Sequence, residues 1–248
     1  MNYDNTSNPI LRDSVFDIRD AQTIPMTING VVRKSFIALS LLLGGAAFAW
    51  TRSYTSVQDI AGKIVLFSIV VLALNLVTVF NHNVARITVP LYALAEGLVV
   101  GSFSLIMQKF YPGIVVQAVT GTIGVFASML FIYKTGIYRP SDRFMTILFM
   151  ASLGFSFIYL ANFILSCLGF SGLHIISSSS PLGIAFSAIV CIIAALNLLI
   201  DFEFIVRQSK MGAPEKLEWI ATLGLLVTVI WIYFEILNLL AKLYSKRD

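Results

Sequence analysis

Residues 57–80 read VQDIAGKIVLFSIVVLALNLVTVF, and the last seventeen of them carry no charged side chain. An α-helix rises about 1.5 Å per residue, so roughly 20 apolar residues cross the hydrocarbon core of a bilayer. Apolar stretches of similar length recur along the chain, approximately at residues 34–50, 88–108, 113–133, 144–168, 182–205 and 219–243. The sequence therefore predicts an all-α membrane protein with seven transmembrane helices.

The composition agrees with this prediction, because 58% of the residues are hydrophobic and 12% are charged. Soluble domains usually carry about 25% charged residues. Little of the chain remains for a soluble domain. We predict an N-terminal tail over residues 1–33, a transmembrane domain over residues 34–243 and a C-terminal tail over residues 244–248.

Basic residues are distributed unevenly between the two sides of the predicted bundle. With a cytoplasmic N-terminus, eleven of the seventeen Lys and Arg residues fall on the cytoplasmic side: Arg12, Arg19, Arg33, Lys34, Arg86, Lys134, Arg139, Arg143, Arg207, Lys210 and Lys216. The positive-inside rule then predicts a cytoplasmic N-terminus and a C-terminus outside, in the plasma membrane. The net charge of +4 indicates membrane orientation rather than nucleic-acid binding.

Small residues repeat at helical spacing in the third and fourth spans. They occur as Ala93-xxx-Gly97-xxx-Gly101 and as Gly124-xxx-Ser128. Such spacing allows two helix backbones to approach closely. It predicts a tight bundle but no partner, because the same spacing serves packing within one chain in most polytopic proteins.

Three acidic residues lie well inside predicted spans, namely Glu96, Asp201 and Glu235. An ionised carboxylate at the bilayer centre costs about 2.5–3.5 kcal/mol even on insertion scales, so such residues usually face a bundle interior or a water cavity. Asn197 precedes Asp201 by four residues and Asn238 follows Glu235 by three, so each amide shares a helix face with its acid. The acids are the strongest functional signal in the sequence.

Two chemical interpretations of these acids remain open at this point. Two carboxylates that approach each other in a dry site share a proton or bind a cation, and either arrangement forms a switch. Alternatively, each acid is singly protonated and hydrogen-bonded to a backbone carbonyl as a buried latch, and Glu96 packs beside Gly97. Arg86 precedes the third span, where it either reaches inward to a carboxylate or marks the membrane boundary.

The sequence carries no pattern typical of a metal site or of a soluble enzyme. Cys167 and Cys191 both lie in apolar stretches without paired metal-ligand spacing. There is no nucleophile elbow, zinc-protease motif or phosphate loop. We therefore expect no catalytic residues, no cofactor and no bound metal.

Several motifs resemble the bacterial branch of the transmembrane Bax inhibitor motif family. They are Tyr92-Ala-Leu-Ala-Glu-Gly-Leu98, Leu196-Asn-Leu-Leu-Ile-Asp-Phe202, Ala213-Pro-Glu-Lys-Leu-Glu-Trp219 and Ile232-Tyr-Phe-Glu-Ile-Leu-Asn-Leu-Leu240. The resemblance implies six helices around a central seventh, and a calcium leak gated by protonation of an acid pair. Asp201 and Glu235 match the pair, although many members have Asp where this chain has Glu235.

The resulting hypothesis is a pH-sensitive cation leak channel or sensor, in which Asp201 and Glu235 form the switch. Glu96, Arg86, Asn197 and Asn238 would line the route or support the switch. Calcium suits carboxylate and carbonyl oxygens. The alternative is a non-conducting regulator that binds another membrane protein, such as a membrane protease.

Overall fold

The computed structural model describes residues 24–51, 56–169 and 178–246, and these residues form seven long helices. The helices are α1 (Ile28–Thr51), α2 (Val57–Phe80), α3 (Ala85–Phe110), α4 (Ile114–Thr135), α5 (Asp142–Cys167), α6 (Pro181–Lys210) and α7 (Glu218–Ser245). Each of the seven is long and apolar enough to cross a membrane. The prediction of an all-α, seven-span membrane protein is confirmed.

Local sequence explains where several helices begin and end. The Ser56 side chain caps α2 by accepting a hydrogen bond from the Asp59 amide, and Ser141 caps α5 in the same way. Gly113 and Gly136 adopt positive φ angles of 86° and 70° at the two ends of α4. Glycine takes this left-handed conformation without a steric penalty, so these residues separate α4 from its neighbours.

The helix termini differ slightly from the predicted tails. Helix α1 begins at Ile28, so the last six residues of the predicted N-terminal tail are helical, and α7 continues through Ser245. Arg12 and Arg19, used in the orientation argument, lie outside the described residues. The cytoplasmic N-terminus and the outside C-terminus stay predictions.

The described residues divide into two compact units. The first comprises residues 24–112 and 201–227, and therefore holds α1, α2, α3, the end of α6 and the start of α7. The second comprises residues 113–200 and 228–246, and holds α4, α5 and the remaining parts of α6 and α7. Asp201 thus belongs to the first unit and Glu235 to the second.

In the first unit, α1 and α3 cross with their backbones in close contact. A side chain added at Gly97 would meet the Leu42 carbonyl, and one added at Gly101 would meet the backbone of Ala46. The small-residue spacing of α3 therefore serves packing within the chain, as predicted. On α4, by contrast, no described residue lies within 4 Å of a side chain added at Gly124.

The second unit has an apolar core in which aromatic rings meet edge to face. Phe186 of α6 contacts Phe155 and Tyr159 of α5, with ring centroids 5.4 and 6.5 Å apart. Met145, Leu148 and Ile200 form a buried apolar cluster in the same unit. These contacts fix α5 against α6 and so position the Tyr159 hydroxyl.

Burial differs sharply among the helices. Over the most apolar 18-residue stretch of α7, 67% of the residues are buried, whereas over that of α2 only 6% are buried. The exposed apolar side chains of α2 are typical of a helix that faces lipid. The burial of α7 agrees with an interior position, and the arrangement of six helices around it stays a prediction.

Candidate functional site

Glu235 is a buried acid in the middle of α7, with only 5% of its surface exposed. The Tyr159 hydroxyl of α5 donates to Oε2 over 3.2 Å, and the Trp231 indole Nε1 donates to Oε1 over 3.1 Å. Both carboxylate oxygens therefore accept a hydrogen bond from a neutral donor. Among the described residues, Glu235 has no ion-pair partner.

Lys242 lies on the same helix, two turns after Glu235, and only 5% of its surface is exposed. Its Nζ donates to the Gly183 carbonyl over 3.1 Å and to the Ser187 hydroxyl over 2.7 Å, both in the first turns of α6. Sequence reasoning placed Lys242 at the outer end of the last span and gave it no role. The available signal was its spacing of seven residues from Glu235, which keeps both on one helix face.

The two asparagines predicted to support the acids take different positions. Asn197 Nδ2 donates to the Ile193 carbonyl over 2.8 Å and to the Ser152 hydroxyl over 3.0 Å. The amide N–H groups of Asn197 therefore tie α6 to α5. Asn238 is half-buried one turn after Glu235, and the hydrogen bonds described for Glu235 come from Tyr159 and Trp231 instead.

The other predicted site residues lie in the first unit. Asp201 is 3% exposed in α6, and Glu96 is 8% exposed in α3, one turn after the buried Tyr92. Arg86 is exposed in the first turn of α3, which favours the membrane-boundary interpretation over an inward reach. Since Asp201 and Glu235 belong to different units, their pairing stays a prediction.

A second buried charge cluster, which sequence reasoning missed, closes one end of the first unit. Lys34 Nζ lies 2.7 Å from Glu218 Oε2 and 3.4 Å from Glu215 Oε1. Glu218 Oε1 also accepts from the backbone N–H and the hydroxyl of Thr27, over 2.8 and 3.1 Å. Lys34, predicted as the first residue of the first span and counted on the cytoplasmic side, is thus a buried residue of α1.

The same end of the unit is held by backbone pairing. Met26 N–H donates to the Ala213 carbonyl over 2.6 Å, and Glu215 N–H donates to the Ile24 carbonyl over 2.8 Å. The segment ahead of α1 is therefore fixed to the connection between α6 and α7. This arrangement surrounds the Lys34–Glu218 ion pair with satisfied backbone groups, as a buried charge requires.

The arrangement around Glu235 allows proton or cation exchange more readily than the one around Glu218. A tyrosine hydroxyl both donates and accepts, so Tyr159 can turn to accept from Glu235 when the acid is protonated. When a carboxylate held by neutral donors is ionised, it can accept a cation without first breaking a salt bridge. No group of three or more His, Cys, Asp or Glu side chains suited to a metal occurs in the described part of the chain.

Comparison with known families agrees with these features. A family model described as "Bax inhibitor 1 like" matches residues 8–245, which is nearly the whole chain. The chain belongs to the Bax inhibitor 1 like family. The comparison with curated proteins found no match. The family and the seven apolar helices establish a multi-pass membrane protein of this family, as the sequence motifs predicted.

Proposed function

We propose that this Bax inhibitor 1 like protein is a pH-sensitive leak pathway for cations such as Ca²⁺ in a bacterial plasma membrane. The proposed activity is transport rather than catalysis, and Asp201 and Glu235 are its protonation switch. Glu96 lines the route. Transported Ca²⁺ or H⁺ is the only ion that the function requires.

The observation that carries the proposal is the setting of Glu235. It is 5% exposed inside α7 and is held by two neutral donors, Tyr159 and Trp231. Acids placed at membrane depth usually serve an ion or proton pathway, because their insertion costs free energy. Asp201 and Glu96 are similarly buried in α6 and α3, so acids are available in both units.

Flux into liposomes tests the proposal directly. The purified chain is reconstituted into vesicles loaded with a calcium-sensitive dye, and initial rates are measured at acidic, neutral and alkaline pH. We expect Ca²⁺ entry whose rate depends on pH. Asp201→Asn and Glu235→Gln mimic the protonated acids, so each should hold the rate at one level across that range.

A matched control comes from the same helix as Asp201. Glu203 is a half-buried acid two residues away, and Glu203→Gln should keep the parent's pH profile. The double variant of Asp201 and Glu235 should add little to either single variant, because residues that share one switch are non-additive. Glu96→Gln should lower the rate while its pH dependence persists.

The alternative, a non-conducting regulator that binds a membrane protease or another membrane protein, gives a different result. It predicts no acid-dependent flux from the parent at any pH. Loss of pH dependence in Glu96→Gln, with both switch variants unchanged, would instead move the switch to Glu96.

A further inference from the structure

Two opposite charges share one buried face of α7. Lys242 follows Glu235 by seven residues, which corresponds to about 10.5 Å along the axis and a rotation of about 20° from perfect alignment. Side chains of a helix tilt toward its N-terminus, so the Lys242 side chain leans toward Glu235, while the Glu235 carboxylate leans toward Trp231. The tilt by itself therefore does not bring the two charged groups into contact. Because the two groups carry opposite charges on one buried helix face, they attract each other even at this separation.

Neither charge has an ion-pair partner among the described residues, and each is solvated by neutral groups. Lys242 donates to the Gly183 carbonyl and the Ser187 hydroxyl of α6. Glu235 accepts from Tyr159 of α5 and from Trp231 of its own helix. Among the described titratable groups, the Cys191 thiol of α6 also interacts with Glu235, in addition to Tyr159 and Lys242.

The energetics of burial favour treating the two charges together. A single charge in a poorly polarisable interior is costly, and neutral hydrogen bonds offset only part of that cost. An opposite charge in the same interior offsets more, because attraction persists over longer distances where water is excluded. Two buried charges of opposite sign in one unit therefore offset part of each other's burial cost even without direct contact.

We propose that Lys242 is the fixed counter-cation of Glu235, and that it competes with cations from solution for this carboxylate. The pairing of Lys242 with Glu235 concerns the folded chain alone. The competition with cations from solution rests on the proposed cation leak, since it makes Lys242 the residue that limits cation binding at Glu235.

A double-mutant cycle in the purified full-length chain tests the electrostatic pairing. The equilibrium constant of unfolding is measured in detergent for the parent, Lys242→Met, Glu235→Gln and the double variant. We expect the single effects to be non-additive by a factor on the order of ten, the size expected for unit charges about 10 Å apart at an effective dielectric constant of about 20. Lys242→Gln, which keeps a hydrogen-bond donor, replaces Lys242→Met if the latter does not fold.

A second cycle separates charge from packing. Ser187→Ala removes a hydrogen bond to Lys242 but keeps its charge, so its effect should simply add to that of Glu235→Gln. Additive effects in the Lys242 cycle, or equal coupling in the Ser187 cycle, would overturn the pairing and leave Lys242 as a packing contact between α6 and α7.

Flux measurements then test the competition. Lys242→Met should raise the initial rate of Ca²⁺ entry several-fold over the parent. Lys246→Met is the matched control, because it removes the same charge from an exposed position one turn later, and it should leave the rate unchanged. An unchanged rate in Lys242→Met, in a parent that conducts, overturns the competition. If no variant conducts, the leak function and the competition fail together, while the cycle still decides the pairing.

Discussion

The chain buries positive and negative charges in two places and treats them differently. At one end of the first unit, Lys34 and Glu218 are in direct contact at 2.7 Å, and Thr27 adds two more donors to the same carboxylate. In the second unit, Glu235 and Lys242 lie two helical turns apart, and each is hydrogen-bonded to neutral groups. We call the first cluster closed, because its charges contact each other directly, and the second available, because its charges contact only neutral groups.

This difference separates a structural role from a functional one. An ion pair with every oxygen satisfied has nothing to exchange, so its contribution is to fix α1 against the start of α7. A carboxylate held by a phenol and an indole can gain a proton or a cation without breaking a salt bridge. Substitutions in the two clusters should therefore differ in how much they change stability.

The largest effect on stability is expected for Lys34→Met. This change leaves the Glu218 carboxylate buried without its cation, and breaking a buried pair from one side typically costs about 3–5 kcal/mol. Chemical unfolding of the purified chain measures the loss. The double variant Lys34→Met with Glu218→Gln should recover much of it, because no unpaired charge remains. A single-variant loss below about 1 kcal/mol would contradict the closed-cluster interpretation.

The contrast also shows which features could be predicted from sequence. The seven spans follow from apolar length, and the α1–α3 crossing agrees with the spacing of Gly97 and Gly101. The Lys34–Glu218 pair joins residues 184 positions apart, so periodicity carries no signal for it. The Tyr159 donor to Glu235 was missed for the same reason, since it comes from another helix. Trp231 lies one turn before Glu235 on α7, so helical spacing did carry a signal for that donor.

A smaller loss is expected for Gly30→Ala, which tests how tightly the closed cluster is packed. The added methyl group would meet the carboxylate of Glu218, which Lys34 and Thr27 hold in place. Overpacking of this kind typically costs about 1–3 kcal/mol. Gly44→Ala is the control on the same helix, because none of the residues that the structure describes lies within 4 Å of the new methyl group. Equal unfolding midpoints for the two variants would show that Glu218 moves freely.

Tyr159→Phe should have a still smaller effect, because it removes one neutral donor from Glu235 while the ring contact with Phe186 persists. The hydrogen bond is long at 3.2 Å, and we expect a loss of about 0.5–1.5 kcal/mol. Unfolding measurements compare it with Tyr138→Phe, an exposed tyrosine whose ring packs on Phe144. A loss as large as that of Lys34→Met would mean that the Glu235 site is as closed as the Glu218 site.

The smallest effect is expected at the ion pair between Lys63 and Asp59, which provides a baseline for the comparison. The two residues lie four positions apart on α2, with Nζ and Oδ2 at 3.1 Å and with 41% and 34% of their side chains exposed. Exposed pairs at this spacing contribute about 0.3–0.5 kcal/mol, because solvent screens the attraction and two flexible side chains must be held in place. Asp59→Asn should therefore change the free energy of unfolding by less than about 0.5 kcal/mol, and added salt should reduce the difference further. The same salt series applied to Lys34→Met should leave its larger loss almost unchanged, since a buried pair is screened little. If salt reduced both losses alike, Lys34 and Glu218 would be accessible to solvent, and the contrast between a closed and an available cluster would fail.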